Sequence, residues 1–328
     1  MNKTYKWGII GPGKIAEKFA KALAMVPWAE LYAVASRDEY KAKDFAERHG
    51  VKKWYNNYES LIGDPLVEVV YIATPHTYHV KYGLQCLRQH KAVLCEKPMS
   101  VNYESTEVLV KEARKEQTFL MEAMWSRFLP TIIKTIELVN SKTIGEIKHI
   151  NADFGFAFPF NASSRIYNKD LGGGSLLDVG VYPLFLVLQL LGKPDQIQSF
   201  AQLSLTGVDE STTAIFKYNS GSLATIHSSV VSQTPIEATI NGTDGTITLS
   251  RPWYKGSRIE VRRNDVITDT FDLPYGSNGF EFQIMEVHDC LAKGKQESDL
   301  MPLDFSLLMS KTVQQICDQA GIDYQVQS

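Results

Sequence analysis

A chain of 328 residues exceeds what one ordinary hydrophobic core organises, so two domains are expected. Hydrophobic residues make up 44%, charged residues 22%, and the formal net charge is −3, a balance that excludes disordered and fibrous classes. That slight acidity leaves no electrostatic footprint for nucleic acid or an anionic membrane, and neither a secretion signal nor an apolar run of membrane-spanning length is expected.

The first elements read as a strand over 5–10, the turn Gly11-Pro12-Gly13-Lys14-Ile15-Ala16, and a helix with Ile15, Phe19, Ala22 and Leu23 on one face. Strand, turn and helix together form the context in which G-x-G-x-x-A binds a dinucleotide. Gly11 permits the tight turn, Gly13 lets backbone approach the pyrophosphate, and Ala16 lets helix and strand pack closely. The helix start, at Lys14 and Ile15, presents free N–H groups to the phosphates. A second strand over 30–35 ends at Ser36-Arg37-Asp38. Enzymes that use NAD carry a carboxylate at this strand tip for the ribose 2′-hydroxyl. A hydroxyl and a guanidinium there suit a 2′-phosphate, so NADP is favoured over NAD. Two arrangements stay open: Arg37 on that phosphate, or Arg37 as a solvated charge facing Asp38.

Helices over 40–49 and 58–62 flank a short strand near 53–54, and a buried strand over 67–73 ends at Thr74-Pro75-His76-Thr77-Tyr78-His79. His76 and His79 have no third ligand nearby, so no metal site is expected; Thr74, Pro75, His76 and His79 are placed with the cofactor. A helix over 79–89 leads to the apolar run Lys91-Ala-Val-Leu-Cys95, which reads as a strand buried on both faces. Glu96-Lys97-Pro98 follows at its carboxyl end, where open parallel sheets bind ligands. A helix over 103–116 and a strand over 118–121 complete a doubly wound parallel sheet. The four cysteines, Cys86, Cys95, Cys290 and Cys317, lack metal spacing and read as reduced and buried, as in a cytoplasmic protein.

Beyond Arg127 the texture changes. A helix over 130–139 and a strand over 146–153 precede strands over 196–205, 212–218, 222–231, 236–240, 246–249, 258–261 and 266–271. Turn signals at Asn219-Ser-Gly221 and Asn241-Gly242 indicate an antiparallel sheet. Helices over 280–292 and 303–319 end the chain, and domains of 1–123 and 124–328 are expected. Between the early strands lies Gly172-Gly-Gly-Ser-Leu-Leu-Asp178-Val-Gly-Val-Tyr182-Pro183. Helical geometry would put Asp178 and Tyr182 on one face, in an apolar setting where both need partners. They read either as chemistry or as a core tyrosine satisfied by the aspartate.

Gly11-x-Gly13-x-x-Ala16, Ala73-Thr-Pro75, Glu96-Lys97-Pro98 and the Gly172–Pro183 stretch, in this order, resemble the glucose–fructose oxidoreductase/inositol dehydrogenase (Gfo/Idh/MocA) family over essentially the whole chain. The resemblance implies a Rossmann domain followed by an α/β domain with a large, open, mostly antiparallel sheet that forms dimer or tetramer contacts. It implies Lys97 as a catalytic residue. Tyr182 stands where inositol dehydrogenase-like members carry a histidine, and Asp178-x-x-x-Tyr182 is similar to the dihydrodiol, D-xylose and glucose–fructose branch. In that branch Trp125, Arg127 and Arg165 border nicotinamide and substrate, Glu96 belongs to the cofactor set, and Phe154 joins Lys97, Asp178 and Tyr182 around the substrate. The implied activity is NADP-dependent hydride transfer to or from a sugar or cyclic trans-diol hydroxyl. A non-catalytic NADP-binding regulator and a sugar–sugar oxidoreductase with tightly held cofactor are the rival readings.

Overall fold

The computed structural model describes residues 3–324. Its first elements are β1 (Tyr5–Ile10), α1 (Lys14–Leu23), β2 (Ala29–Ala35), α2 (Glu39–His49), β3 (Lys53–Tyr55), α3 (Tyr58–Ile62), β4 (Val69–Ile72), α4 (His79–Arg88), β5 (Ala92–Glu96), α5 (Tyr103–Lys115) and β6 (Leu120–Ala123). The strands form one sheet in the order β3-β2-β1-β4-β5-β6, every pair parallel. Both β4 and β5 are buried throughout, as their unbroken apolar sequences require of strands covered on two faces. The order reverses between β1 and β4, which makes the carboxyl ends of those strands the crevice for a ligand. Local caps set the helix starts: Asp38 accepts from the Lys41 N–H on α2, and Asn102 from the Ser105 N–H on α5.

The second group comprises α6 (Pro130–Asn140), β7 (Ile147–Gly155), α7 (Val181–Leu191), β8 (Gln196–Leu203), β9 (Asp209–Lys217), β10 (Leu223–Ser229), β11 (Ala238–Gly242), β12 (Thr246–Leu249), β13 (Arg258–Arg263) and β14 (Val266–Asp272). Its sheet runs β14-β13-β12-β11-β7-β10-β9-β8, antiparallel except where β7 lies parallel to β10. That exception follows from the long excursion between β7 and β8, which frees β7 from a hairpin partner. Two helices, α8 (Phe280–Ala292) and α9 (Leu303–Ala320), end the fold.

Two expectations are corrected here. The chain divides into one unit running to Trp125 and including Gly276–Leu307, and a second unit of Ser126–Tyr275 with the segment from Leu308 on. Thus α8 returns to the Rossmann sheet. The Trp7 indole N–H donates to His288 Nε2 at 3.0 Å, Asn278 donates to the Lys18 carbonyl, and Arg114 pairs with Asp304. Burial holds the His288 imidazole down at about 4, so it stays neutral and can accept the indole proton. Secondly, Lys169–Leu191 is long and apolar enough to span a membrane, with mean hydropathy 1.7, yet 78% of that window is buried inside the fold. A core helix explains such a composition.

Candidate functional site

At the carboxyl end of β1, Gly11 has φ +87°, and a Cβ there would lie 2.8 Å from the Ala73 carbonyl oxygen and 2.9 Å from Thr74 N. Only glycine allows β1 and β4 to release their chains that close together. Gly13 caps α1 and has open space where its side chain would be. Lys14 and Ile15 open the helix, leaving the first-turn N–H groups directed outward from its end. At the β2 tip Ser36 is buried, and its Oγ accepts from the Asp38 N–H at 3.1 Å. Asp38 is turned to its capping role on α2, while the exposed Arg37 guanidinium lies 5.0 Å over the Tyr78 ring. The alternative of Arg37 simply facing Asp38 is therefore not what the geometry adopts. The Thr74 hydroxyl is buried with no hydrogen-bond partner among the described residues. An open cradle at Gly13, an orphaned hydroxyl at Thr74 and a strand tip without a carboxylate together fit a dinucleotide.

His79 lies between the turns that follow β4 and β5. It is fully buried, with Nδ1 2.9 Å from the Pro98 carbonyl and Nε2 2.9 Å from the Thr74 carbonyl. Its ring thereby buckles the turn after β4 to the turn after β5, a scaffold role. Neighbouring His76 is buried with its ring edge-on to His79 at 5.7 Å.

Glu96 and Lys97 are not a surface pair: Lys97 is 8% and Glu96 6% exposed. The Tyr71 hydroxyl on β4 donates a hydrogen bond to Glu96, and Tyr71 is itself stacked on Phe19 of α1 at 3.7 Å. Burial pushes the Glu96 carboxyl up to about 7 despite the opposing Lys97 charge and the Tyr71 bond. Glu122, on the adjacent β6, is buried too and accepts from the Met99 N–H at 2.9 Å; burial again pushes it upward. Trp125, the last residue of this unit, stacks on Phe280 at 4.9 Å.

In the second unit, the stretch Leu176–Gly180 is a π-helical turn that runs directly into α7. Such turns recur at functional sites because they re-aim side chains within a helix. Here the turn corrects the simple expectation of one α-helical face for Asp178 and Tyr182. Asp178 is half-buried and paired with Arg165 at 2.7 Å, which puts Arg165 in the setting of the carboxylate. Tyr182 is buried beside Phe154 and Tyr254, with ring centres at 5.5 and 5.3 Å. Phe154 and Tyr254 are themselves stacked at 4.1 Å and 18°. Two buried bonds set this pair: the Trp253 indole N–H donates to the Asp153 carbonyl at 2.8 Å, and Ser126 Oγ donates to the Tyr254 carbonyl at 2.7 Å. Arg127, next to Ser126, is buried on the short 3₁₀ turn Trp125–Phe128. Burial raises the Tyr254 phenol, which keeps it neutral. Tyr71 and Tyr254 had escaped the sequence reading. Neither lies within a recognised motif, and only the fold puts the Tyr71 hydroxyl beside Glu96 and the Tyr254 ring beside Tyr182.

Residues 5–124 match the family model described as the oxidoreductase family, NAD-binding Rossmann fold, and residues 132–248 match the GFO/IDH/MocA C-terminal domain. Trans-1,2-dihydrobenzene-1,2-diol dehydrogenase of Xenopus tropicalis is 35% identical over 97% of this chain and 99% of its own length. The Homo sapiens protein of the same name is 32% identical over 97% and 98%. Among solved structures, KijD10, a 3-ketoreductase from Actinomadura kijaniata in complex with NADP and TDP-benzene, superposes with TM-score 0.89 at 25% identity, covering 97% of this chain and 98% of that one.

Proposed function

From the premise that this chain belongs to the GFO/IDH/MocA oxidoreductase family and is an NAD(P)-dependent dehydrogenase, we propose that it oxidises a hydroxyl of a cyclic trans-diol or a sugar with NADP⁺. The observation that carries this reading is the Phe154–Tyr254 stack beside Tyr182, a flat aromatic wall next to a phenol in the first turn of α7, directly after the turn that bears Asp178. Such a wall suits the face of a six-membered ring. The dihydrodiol dehydrogenase relatives are named for the same kind of molecule.

A bound nicotinamide would supply the hydride chemistry at the carbinol carbon. The residues for holding the cofactor are Gly11, Gly13, Lys14 and Ile15 for the pyrophosphate, Ser36 and Arg37 for the 2′-phosphate, and Thr74, Pro75 and His76 along the strand end. Glu96, Trp125 and Arg127 complete the set. Tyr182 takes the substrate hydroxyl proton during oxidation and returns it during reduction. A phenol is poorly matched to neutral pH, so a cation must lower its pKa; we assign that work to Lys97. Asp178, oriented by Arg165, accepts from the second hydroxyl of the substrate, so analogues lacking it leave a polar group unpaired.

Two finer points belong to the same proposal. Buried, unpaired cysteines fit a cytoplasmic enzyme. The sheet face bearing exposed Phe200, Ile215 and Leu223 suits a second copy of this chain, giving a dimer or tetramer. The test is a panel of trans-diols and aldoses assayed with NADP⁺ and NAD⁺ by the absorbance of the reduced cofactor. Turnover of a diol or aldose with NADP⁺ is expected. Cofactor binding without turnover on any member would leave a regulator, and turnover only with paired sugars would mark a sugar–sugar oxidoreductase.

A further inference from the structure

Asp209, at the start of β9, is completely buried and carries no chemistry in the proposed reaction. Its Oδ2 accepts from Ser175 Oγ at 2.6 Å, from the Leu176 N–H at 2.8 Å and from Thr212 Oγ1 at 2.7 Å. Its Oδ1 accepts from the Tyr324 hydroxyl at 2.8 Å, a residue that follows α9. Burial raises the carboxyl and these donors oppose the rise. A carboxylate held by hydroxyls and one amide is a costly way to fill a core.

Two of its four donors are placed at one feature. Ser175 and Leu176 are the entry to the π-helical turn Leu176–Gly180 that carries Asp178 and leads to Tyr182. Gly174, with φ +109°, has room for no Cβ, because Asp209 and the Tyr324 hydroxyl occupy that space. At the other end of the turn, a Cβ on Gly180 would lie 2.9 Å from Ser228 Oγ, the same hydroxyl that meets Ser175 Oγ at 2.9 Å. The entry of the turn is therefore held by a buried polar cluster, and its exit packs closely against a hydroxyl of the same cluster.

We infer that Asp209 is a positioning residue and Tyr324 its latch, so that the segment after α9 fixes the aim of Asp178 and Tyr182. This inference rests on the reading of Tyr182 as the proton-handling group. Tyr324→Phe removes one donor and leaves the other three in place, so the variant should fold. Its kcat should fall about tenfold with KM and NADPH affinity within about twofold, since the misaligned group acts only in the chemical step. Amides over 176–182 should exchange with deuterium about tenfold faster than in the native protein. Asp209→Asn should show both effects more strongly, if it folds. Native-level kcat in the Tyr324→Phe folded fraction, with exchange over 176–182 unchanged, would overturn the inference, whatever the melting temperature does. If the native protein turned over no diol or sugar, the function proposal would fail separately, and the exchange measurement alone would still decide the latch.

Discussion

Glu96→Gln removes a buried ionisable group while keeping its shape and an acceptor for the Tyr71 hydroxyl. In the native protein this carboxyl is raised from an ordinary 4.5 to about 7, chiefly by burial. The folded state therefore binds a proton that the unfolded chain has released across that interval, and stability must fall as pH rises through it. At about 1.4 kcal/mol per tenfold difference in proton affinity, the whole cost is about 3.5 kcal/mol. Roughly 2.5 kcal/mol of it should accrue between about pH 5 and about pH 8, with levelling above. The glutamine does not titrate, so any packing penalty of the amide is a constant offset. Urea unfolding of both proteins across that range isolates the term, because other titrating groups cancel in the difference. The native protein should lose about 2.5 kcal/mol relative to Glu96→Gln on going from the acid to the alkaline end. A pH-independent difference would show that Glu96 titrates as in the unfolded chain, and that the buried strand end is misread.

Further outcomes are expected at neighbouring residues. Ser36→Asp should weaken NADP binding by about 1–3 kcal/mol, the worth of a hydrogen bond to a charged group, and affect NAD less; a titration by cofactor fluorescence reads both, and unchanged NADP affinity would remove Ser36 from the 2′-phosphate site. His79→Ala should lower unfolding free energy by about 2–4 kcal/mol, since it deletes a buried ring that bridges the Pro98 and Thr74 carbonyls and leaves a cavity, whereas a ligand-contact role would cost affinity with little stability.

Much of this architecture was legible because its signals are local. The unbroken apolar runs of β4 and β5, and the glycines flanking Pro12, depend on nearest neighbours along the chain. What escaped depends on distant partners. Nothing around His288 announces that the Trp7 indole will be its donor, so α8 was assigned to the wrong unit. His79 resembled a ligand in sequence, and only the approach of the Pro98 and Thr74 carbonyls reveals a buckle. The π-helical turn was unreadable for a similar reason. A four-residue spacing implies an α-helix, and the bonds of Ser175 and Leu176 to Asp209 on β9 lie far away in sequence.

The central claim is that Lys97 and Tyr182 handle the proton as one functional unit. Its most direct measurement is turnover with saturating NADP⁺ for Lys97→Met, Tyr182→Phe and the double variant, each with its pH profile. Each single change should remove most of kcat while leaving NADP affinity largely intact. The double variant should be scarcely worse than either, because residues acting as a unit are strongly non-additive. The native profile for oxidation should rise to a plateau with an apparent pKa below the value of about 10 for free tyrosine, a property of the pair. Substantial turnover by Tyr182→Phe with an unchanged pH profile, or losses that simply multiply in the double variant, would contradict the account.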